Sequence, residues 1–141
     1  MLKGISPLIS PELLKILCEM GHGDEIVLGD ANFPAESFGQ RTVRADGIGA
    51  VPLLDGILEL IPLDDYVEDN FVLMEVAKGD PYEPVIWEEF EQVLKKHRPE
   101  GQVSHEERFA FYERAKKAYA VVATGETAIY ANVILKKGVI K

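Results

Sequence analysis

Short unbroken apolar runs alternate along this chain with segments whose apolar residues recur at helical spacing, and that alternation admits few architectures. Glu25-Ile26-Val27-Leu28-Gly29 suits a buried strand ending at Asp30. Thr42 to Ala45 reads as a shorter strand and Phe71 to Val76 as the next, while Tyr119 to Thr124 and Ile129 to Leu135 close the chain around Gly125-Glu126. Between them, Ser10-Pro11-Glu12 marks a helix start, with a capping hydroxyl, a proline at the first helical position and an acid in the first turn. Leu13, Leu14, Leu17 and Met20 follow at helical spacing until Gly21. A second helix is expected from about Pro52, carrying Leu53, Leu54, Ile57, Leu58 and Ile61. A third runs from about Pro84 to His97 with a stripe at Ile86, Phe90, Val93 and Leu94. A fourth, from about Glu106 to Ala118, turns Phe111, Tyr112, Ala115 and Ala118 inward and pairs Glu113 with Lys117. The expected fold is α/β: a single three-layer domain over residues 1–141, a mixed sheet flanked by helices.

The 141 residues, 47% of them apolar, suffice for one core without disulfides or a structural metal. The net charge of −9 repels phosphate backbones, so neither nucleic acid nor an anionic membrane is an expected partner. Cys18, the only cysteine, lies in the first helical pattern and reads as a buried thiol, with no basic pattern beside it to make a thiolate. The N-terminus reads as neither a secretory signal nor a membrane span, which leaves the cytoplasm as the expected compartment. Phosphate-binding loops, dinucleotide fingerprints and nucleophile elbows are absent. The histidines at 22, 97 and 105 have no metal-ligand spacing, so no metal or other cofactor is expected; His97 and His105 read as surface residues, the latter in a polar loop. Asp64-Asp65 and Glu88-Glu89 are consecutive, so their side chains diverge and suit no paired-carboxylate site.

Three places remain where chemistry could reside. His22 stands between Gly21 and Gly23 just past a helix end, uncrowded, with an imidazole whose ordinary pKa near 6.5 suits proton transfer. On spacing alone, a cap on the helix's last carbonyls is the stronger reading. Asp30 ends an apolar strand, where open α/β sheets bind ligands and a carboxylate can hold sugar hydroxyls; an Asx turn is the competing reading. Near the C-terminus, Arg108 and Tyr130-Ala131-Asn132 carry polar groups suited to a neutral polyol. There too a plain alternative stands: Arg108 paired with Glu106 or Glu107, Tyr130 packed by its ring, Asn132 closing a turn.

Taken together, the segments from Met1 to Ala35, Arg44 to Gly47, Arg108 to Glu126 and Tyr130 to Val139 resemble the fucose mutarotase and ribose pyranase family. The resemblance spans nearly the whole chain and is least specific from about Ala50 to Gln102. It implies His22 as the catalytic proton donor, and Asp30, Arg108, Tyr130, Ala131 and Asn132 as substrate contacts. Arg108 and Gly23 match the fucose branch, where the ribose branch carries histidine in place of the arginine. Asn32 stands where some relatives have a second histidine. The implied activity is interconversion of the anomers of L-fucose by ring opening and reclosure, without a cofactor. A ribose-type pyranase or a non-catalytic monosaccharide-binding protein are the alternatives. The resemblance also implies a ring-forming subunit of a homodecamer with sites near subunit boundaries, and Val133-Ile134-Leu135 is a candidate surface for a neighbour.

Overall fold

The computed structural model describes residues 1–141. Helix α1 (Pro11–Glu19) is capped by the Ser10 hydroxyl, which accepts from the Leu13 amide at 3.1 Å, and turns Leu13, Ile16 and Leu17 inward. Strand β1 (Glu25–Gly29) follows, then a single helical turn α2 (Ala35–Phe38) and β2 (Thr42–Ala45). Helix α3 (Ala50–Leu58), strand β3 (Phe71–Met74), helix α4 (Ile86–His97) and a three-residue strand β4 (Ser104–Glu106) form the middle of the chain. Helix α5 (Arg108–Lys117) and strands β5 (Ala120–Thr124) and β6 (Val133–Lys136) complete it.

The six strands form one sheet in the order β2-β5-β1-β6-β3-β4. Every neighbour pair is parallel except those of β6, which runs antiparallel between β1 and β3. Side chains alternate across the sheet, so each strand feeds two cores. Ile26, Leu28, Leu73, Val122 and Leu135 face α1, α3 and α4, whose Leu13, Leu53, Leu54, Ile57, Phe90 and Leu94 cover them. Val27, Val72, Val121 and Ile134 face Phe111 and Ala115 of α5 and Ala35 of α2. The fold is therefore the expected three-layer α/β arrangement with a mixed sheet.

Several expectations change in detail. Val133-Ile134-Leu135 is no docking surface: β6 is wholly covered at the sheet's centre, because pairing on both edges and helices on both faces satisfy it within the chain. Cys18 is exposed, one position off the buried stripe of Leu13, Ile16, Leu17 and Met20 and so about 100° around the helix from Leu17. His105 lies at the sheet's edge on β4 rather than in a loop, its ring against Trp87 at 5.0 Å. Glu113 pairs with Lys116 at 2.8 Å instead of Lys117. The strand expected from Ile129 begins at Val133, since Tyr130 has a left-handed φ of 58° that no strand accommodates.

The topology gives the sheet two unlike ends. The five mutually parallel strands all finish at one end, the carboxyl pole, where β6 begins. The loops before β1 and β3 and after β6 meet at the opposite, amino pole.

Candidate functional site

The carboxyl pole gathers residues that lie far apart in sequence. Asp30 follows β1 and is only 6% exposed. Its Oδ1 accepts the Asn32 amide at 3.0 Å, so the Asx turn is present, while its own amide donates to Oδ1 of Asn132 at 2.8 Å. Asn132, at the mouth of the antiparallel β6, is thereby the clamp that fixes where Asp30 stands; its amide nitrogen lies 3.8 Å from the Met74 sulfur. Burial pushes the Asp30 carboxyl above its ordinary value, against the opposing pull of amides from Asn32 and Ala131 and of the Asn132 side chain. A carboxylate held this way accepts hydrogen bonds strongly and has an oxygen left to do so.

Tyr130 is braced from three sides. Its phenol donates to Asp80 at 2.7 Å and accepts from the Ala77 amide at 3.3 Å, and its carbonyl accepts the Trp87 indole N–H at 2.9 Å. The Tyr82 ring lies 6.0 Å away. A non-glycine residue in left-handed backbone conformation costs free energy, on the order of 1 kcal/mol, and persists only where its surroundings hold it. Asp80 raises the Tyr130 phenol above its ordinary value by accepting its proton in a hydrogen bond. Ala131, fully buried, joins Tyr130 to Asn132.

Arg108 opens α5 immediately after β4, where Glu107 caps the helix by accepting the amides of Phe109 and Ala110. Its Nε donates to the Tyr112 phenol at 3.2 Å, and the guanidinium lies 5.4 Å from the centroids of the Phe109 and Tyr112 rings. The alternative pairing with neighbouring acids does not occur: Glu106 is committed to Arg114 at 3.3 Å, and Arg108 carries no salt bridge. Its two terminal nitrogens are left to donate outward.

His22 is not part of this cluster. It precedes β1, whereas Asp30 follows it, and the five steps from Glu25 to Asp30 span about 16 Å of rigid, doubly paired strand. At the amino pole the histidine is held by Asp64, which the sequence analysis set aside as one of a diverging pair, and by Tyr66, which it did not name. Its Nε2 lies 3.1 Å from Oδ1 of Asp64, and its ring 5.4 Å from that of Tyr66. The left-handed Gly23, at φ 87°, donates its amide to the Lys137 carbonyl and ties the histidine's loop to the end of β6. The helix-capping reading of His22 fails, because the Lys137 ammonium takes that role on Leu17 and Met20 at 2.8 and 2.6 Å. The divergence expected of Asp64 and Asp65 is observed: Asp64 turns inward to His22, and Asp65 outward to Lys141. The inward member alone matters, and no local pattern marks a carboxylate that acts across 42 residues. Asp80 and Trp87 were equally invisible, each meeting Tyr130 only through the fold.

Residues 3–140 match the model of the RbsD / FucU transport protein family. The chain is 55% identical over 140 residues to an L-fucose mutarotase of Actinobacillus pleuropneumoniae, covering 99% of this chain and 97% of that one. It is 52% identical to the human fucose mutarotase, covering 99% and 94%. The crystal structure of a Streptococcus pneumoniae fucose mutarotase in complex with L-fucose superposes with a TM-score of 0.94 at 51% identity, over 99% of this chain and 100% of that one.

Proposed function

This chain belongs to the RbsD / FucU family, and from that premise we propose that it interconverts the α and β anomers of L-fucose. The reaction is an isomerisation in which the pyranose ring opens to the aldehyde, C1 rotates, and the ring recloses from the other face. The observation that carries the reading is the polar cluster at the carboxyl pole, in a chain that matches a fucose-bound mutarotase over nearly its full length. Asp30 accepts from two sugar hydroxyls, Arg108 donates with its free nitrogens, and Tyr130 and the Ala131–Asn132 backbone supply the remaining contacts. His22, as imidazolium, donates a proton to the ring oxygen while the anomeric hydroxyl passes its own to water; reclosure reverses both transfers.

Since about 16 Å separates the poles in one chain, His22 reaches a sugar at the carboxyl pole only from a second copy. The surface supports such a meeting. Of the nine exposed large apolar residues, Tyr82, Val85, Phe109 and Ile129 flank the carboxyl pole and Tyr66, Val139 and Ile140 the amino pole. Unlike patches at opposite ends of one subunit make a head-to-tail contact, which generates a ring where its rotation closes. The homodecamer of stacked pentamers is the ring we propose, with one composite site at each junction. No helix is long and apolar enough to cross a membrane, and with the unpaired Cys18 this supports the cytoplasm as the compartment.

Saturation-transfer NMR of the fucose anomers tests the reading. Exchange accelerated by the protein and abolished by His22→Ala is expected. Unaltered exchange with broadened ligand lines would replace the enzyme with a sugar binder.

A further inference from the structure

We propose that Asp80 is a positioning residue that sets specificity: it holds the Tyr130 phenol with its proton turned away from the sugar, so that Tyr130 meets the substrate only as an acceptor and selects a free hydroxyl at that position. The inference rests on the reading of the carboxyl pole as the fucose site above and adds which way one hydrogen bond runs and what sets it.

A phenol has one proton and two lone pairs. The Tyr130 proton goes to Oδ2 of Asp80 at 2.7 Å, and one lone pair accepts the Ala77 amide at 3.3 Å. One lone pair is left. The carboxylate that takes the proton is itself fixed, because its other oxygen, Oδ1, accepts the Tyr82 amide at 2.9 Å. Those two bonds hold the Asp80 carboxyl below the usual carboxylate range, so it is an ionised group that only accepts. The turn that carries it is closed by the Asp80 amide, which donates to the Ala77 carbonyl at 3.0 Å across Gly79 at a left-handed φ of 87°.

A charged acceptor on the phenol's proton polarises its oxygen and makes the remaining lone pair a stronger acceptor. The Arg108 charge also acts on this phenol, and a guanidinium can only donate. The pole therefore carries set polarities: Arg108 gives hydrogen bonds, and Asp30 and Tyr130 receive them. A sugar hydroxyl satisfies the tyrosine by giving it a proton. An ether oxygen, a glycosidic oxygen or a deoxygenated carbon at that position has no proton to give.

Asp80→Asn reverses this bond instead of deleting it, and Asp80 is exposed, so the core is untouched. The Tyr82 amide can only donate, which keeps the new side chain's oxygen on it and turns the NH₂ group to the phenol. The NH₂ group and the Ala77 amide then fill both lone pairs, and the phenol's proton turns to the sugar. Fluorine cannot donate, so L-fucoses with fluorine replacing the hydroxyl at C1, C2, C3 or C4 read the polarity by titration calorimetry. At one position, a loss of about tenfold or more on wild type is expected to shrink to about twofold in Asp80→Asn, with the other penalties alike in both proteins. Fucose itself, whose hydroxyl can turn and accept, should bind the variant within about tenfold of wild type. Penalties equal in the two proteins at every position, the result of a merely structural role, overturn the proposal. Neutron diffraction of deuterium-exchanged wild-type crystals needs no variant to fold: the Tyr130 deuteron is expected on the line to Asp80, and a deuteron turned away from Asp80 overturns the proposal. If wild-type protein does not bind L-fucose, the reading of the pole as its site has failed, whichever way the phenol points.

Discussion

The two ends of β1 are built differently. At the carboxyl pole, residues from the ends of β1, β3 and β6 and from α4 brace one another, with Asn132 clamping Asp30 and with Asp80 and Trp87 pinning Tyr130. At the amino pole one exposed histidine leans on one buried carboxylate. The first arrangement fixes several polar groups in a rigid pattern, which is what recognising a polyol requires. The second aims a single group that changes charge, which is what moving a proton requires. The proposed function gives holding to one pole and proton transfer to the other, and on that reading a working site needs both.

Substitutions at the two poles should therefore fail in different ways. His22→Ala is expected to lower exchange by roughly 10²–10⁴-fold while fucose affinity stays within about twofold. Arg108→Ala, which removes charge-assisted hydrogen bonds, should weaken fucose binding roughly 10- to 100-fold. Titration calorimetry beside NMR exchange separates the two, and a large affinity loss in His22→Ala would erase the contrast.

Trp87→Phe is a smaller perturbation. It deletes the indole N–H that holds the Tyr130 carbonyl and should cost about fivefold in fucose affinity, the worth of roughly one neutral hydrogen bond. No change would mean that Asp80 alone keeps the left-handed tyrosine in place.

The mildest test is pH. Burial raises the Asp30 carboxyl, so protonation, and with it weaker fucose binding, begins above the range of an ordinary carboxylate. The stability signs are opposite at the two poles. A raised carboxyl favours the fold at low pH and withdraws that contribution as pH rises through its folded value. The lowered Asp64 stabilises above its ordinary value and loses that contribution as pH falls through its folded one. Acidification is thus expected to weaken fucose binding before it lowers the melting temperature, and Asp30→Asn should remove the acid limb of binding. An identical acid limb in that variant would assign it elsewhere.

The elements with long periodic patterns were readable from sequence, as was the three-layer fold, and Asp30, Tyr130 and Asn132 do gather at one pole, with His22 at the other. The misses have physical causes. Helix α2 is one turn and β4 three residues, each too short to show a period. Tyr130 interrupts an apolar run by backbone geometry rather than by residue type. Asp64, Asp80 and Trp87 act only through contacts that the folded chain creates. The separation of His22 from Asp30 was implicit once the intervening residues were read as a strand, because a strand is long for its residue count.

Subunit mixing tests the composite site most directly. Co-expressed His22→Ala and Asp30→Asn chains, purified as mixed rings, each lack one pole. If every site joins the amino pole of one copy to the carboxyl pole of the next, random assembly leaves about one junction in four with both poles intact. Mutarotation near one quarter of wild type, from two separately inactive variants, is the predicted result. Mixed rings as inactive as either parent would contradict the account and return both poles to a single chain.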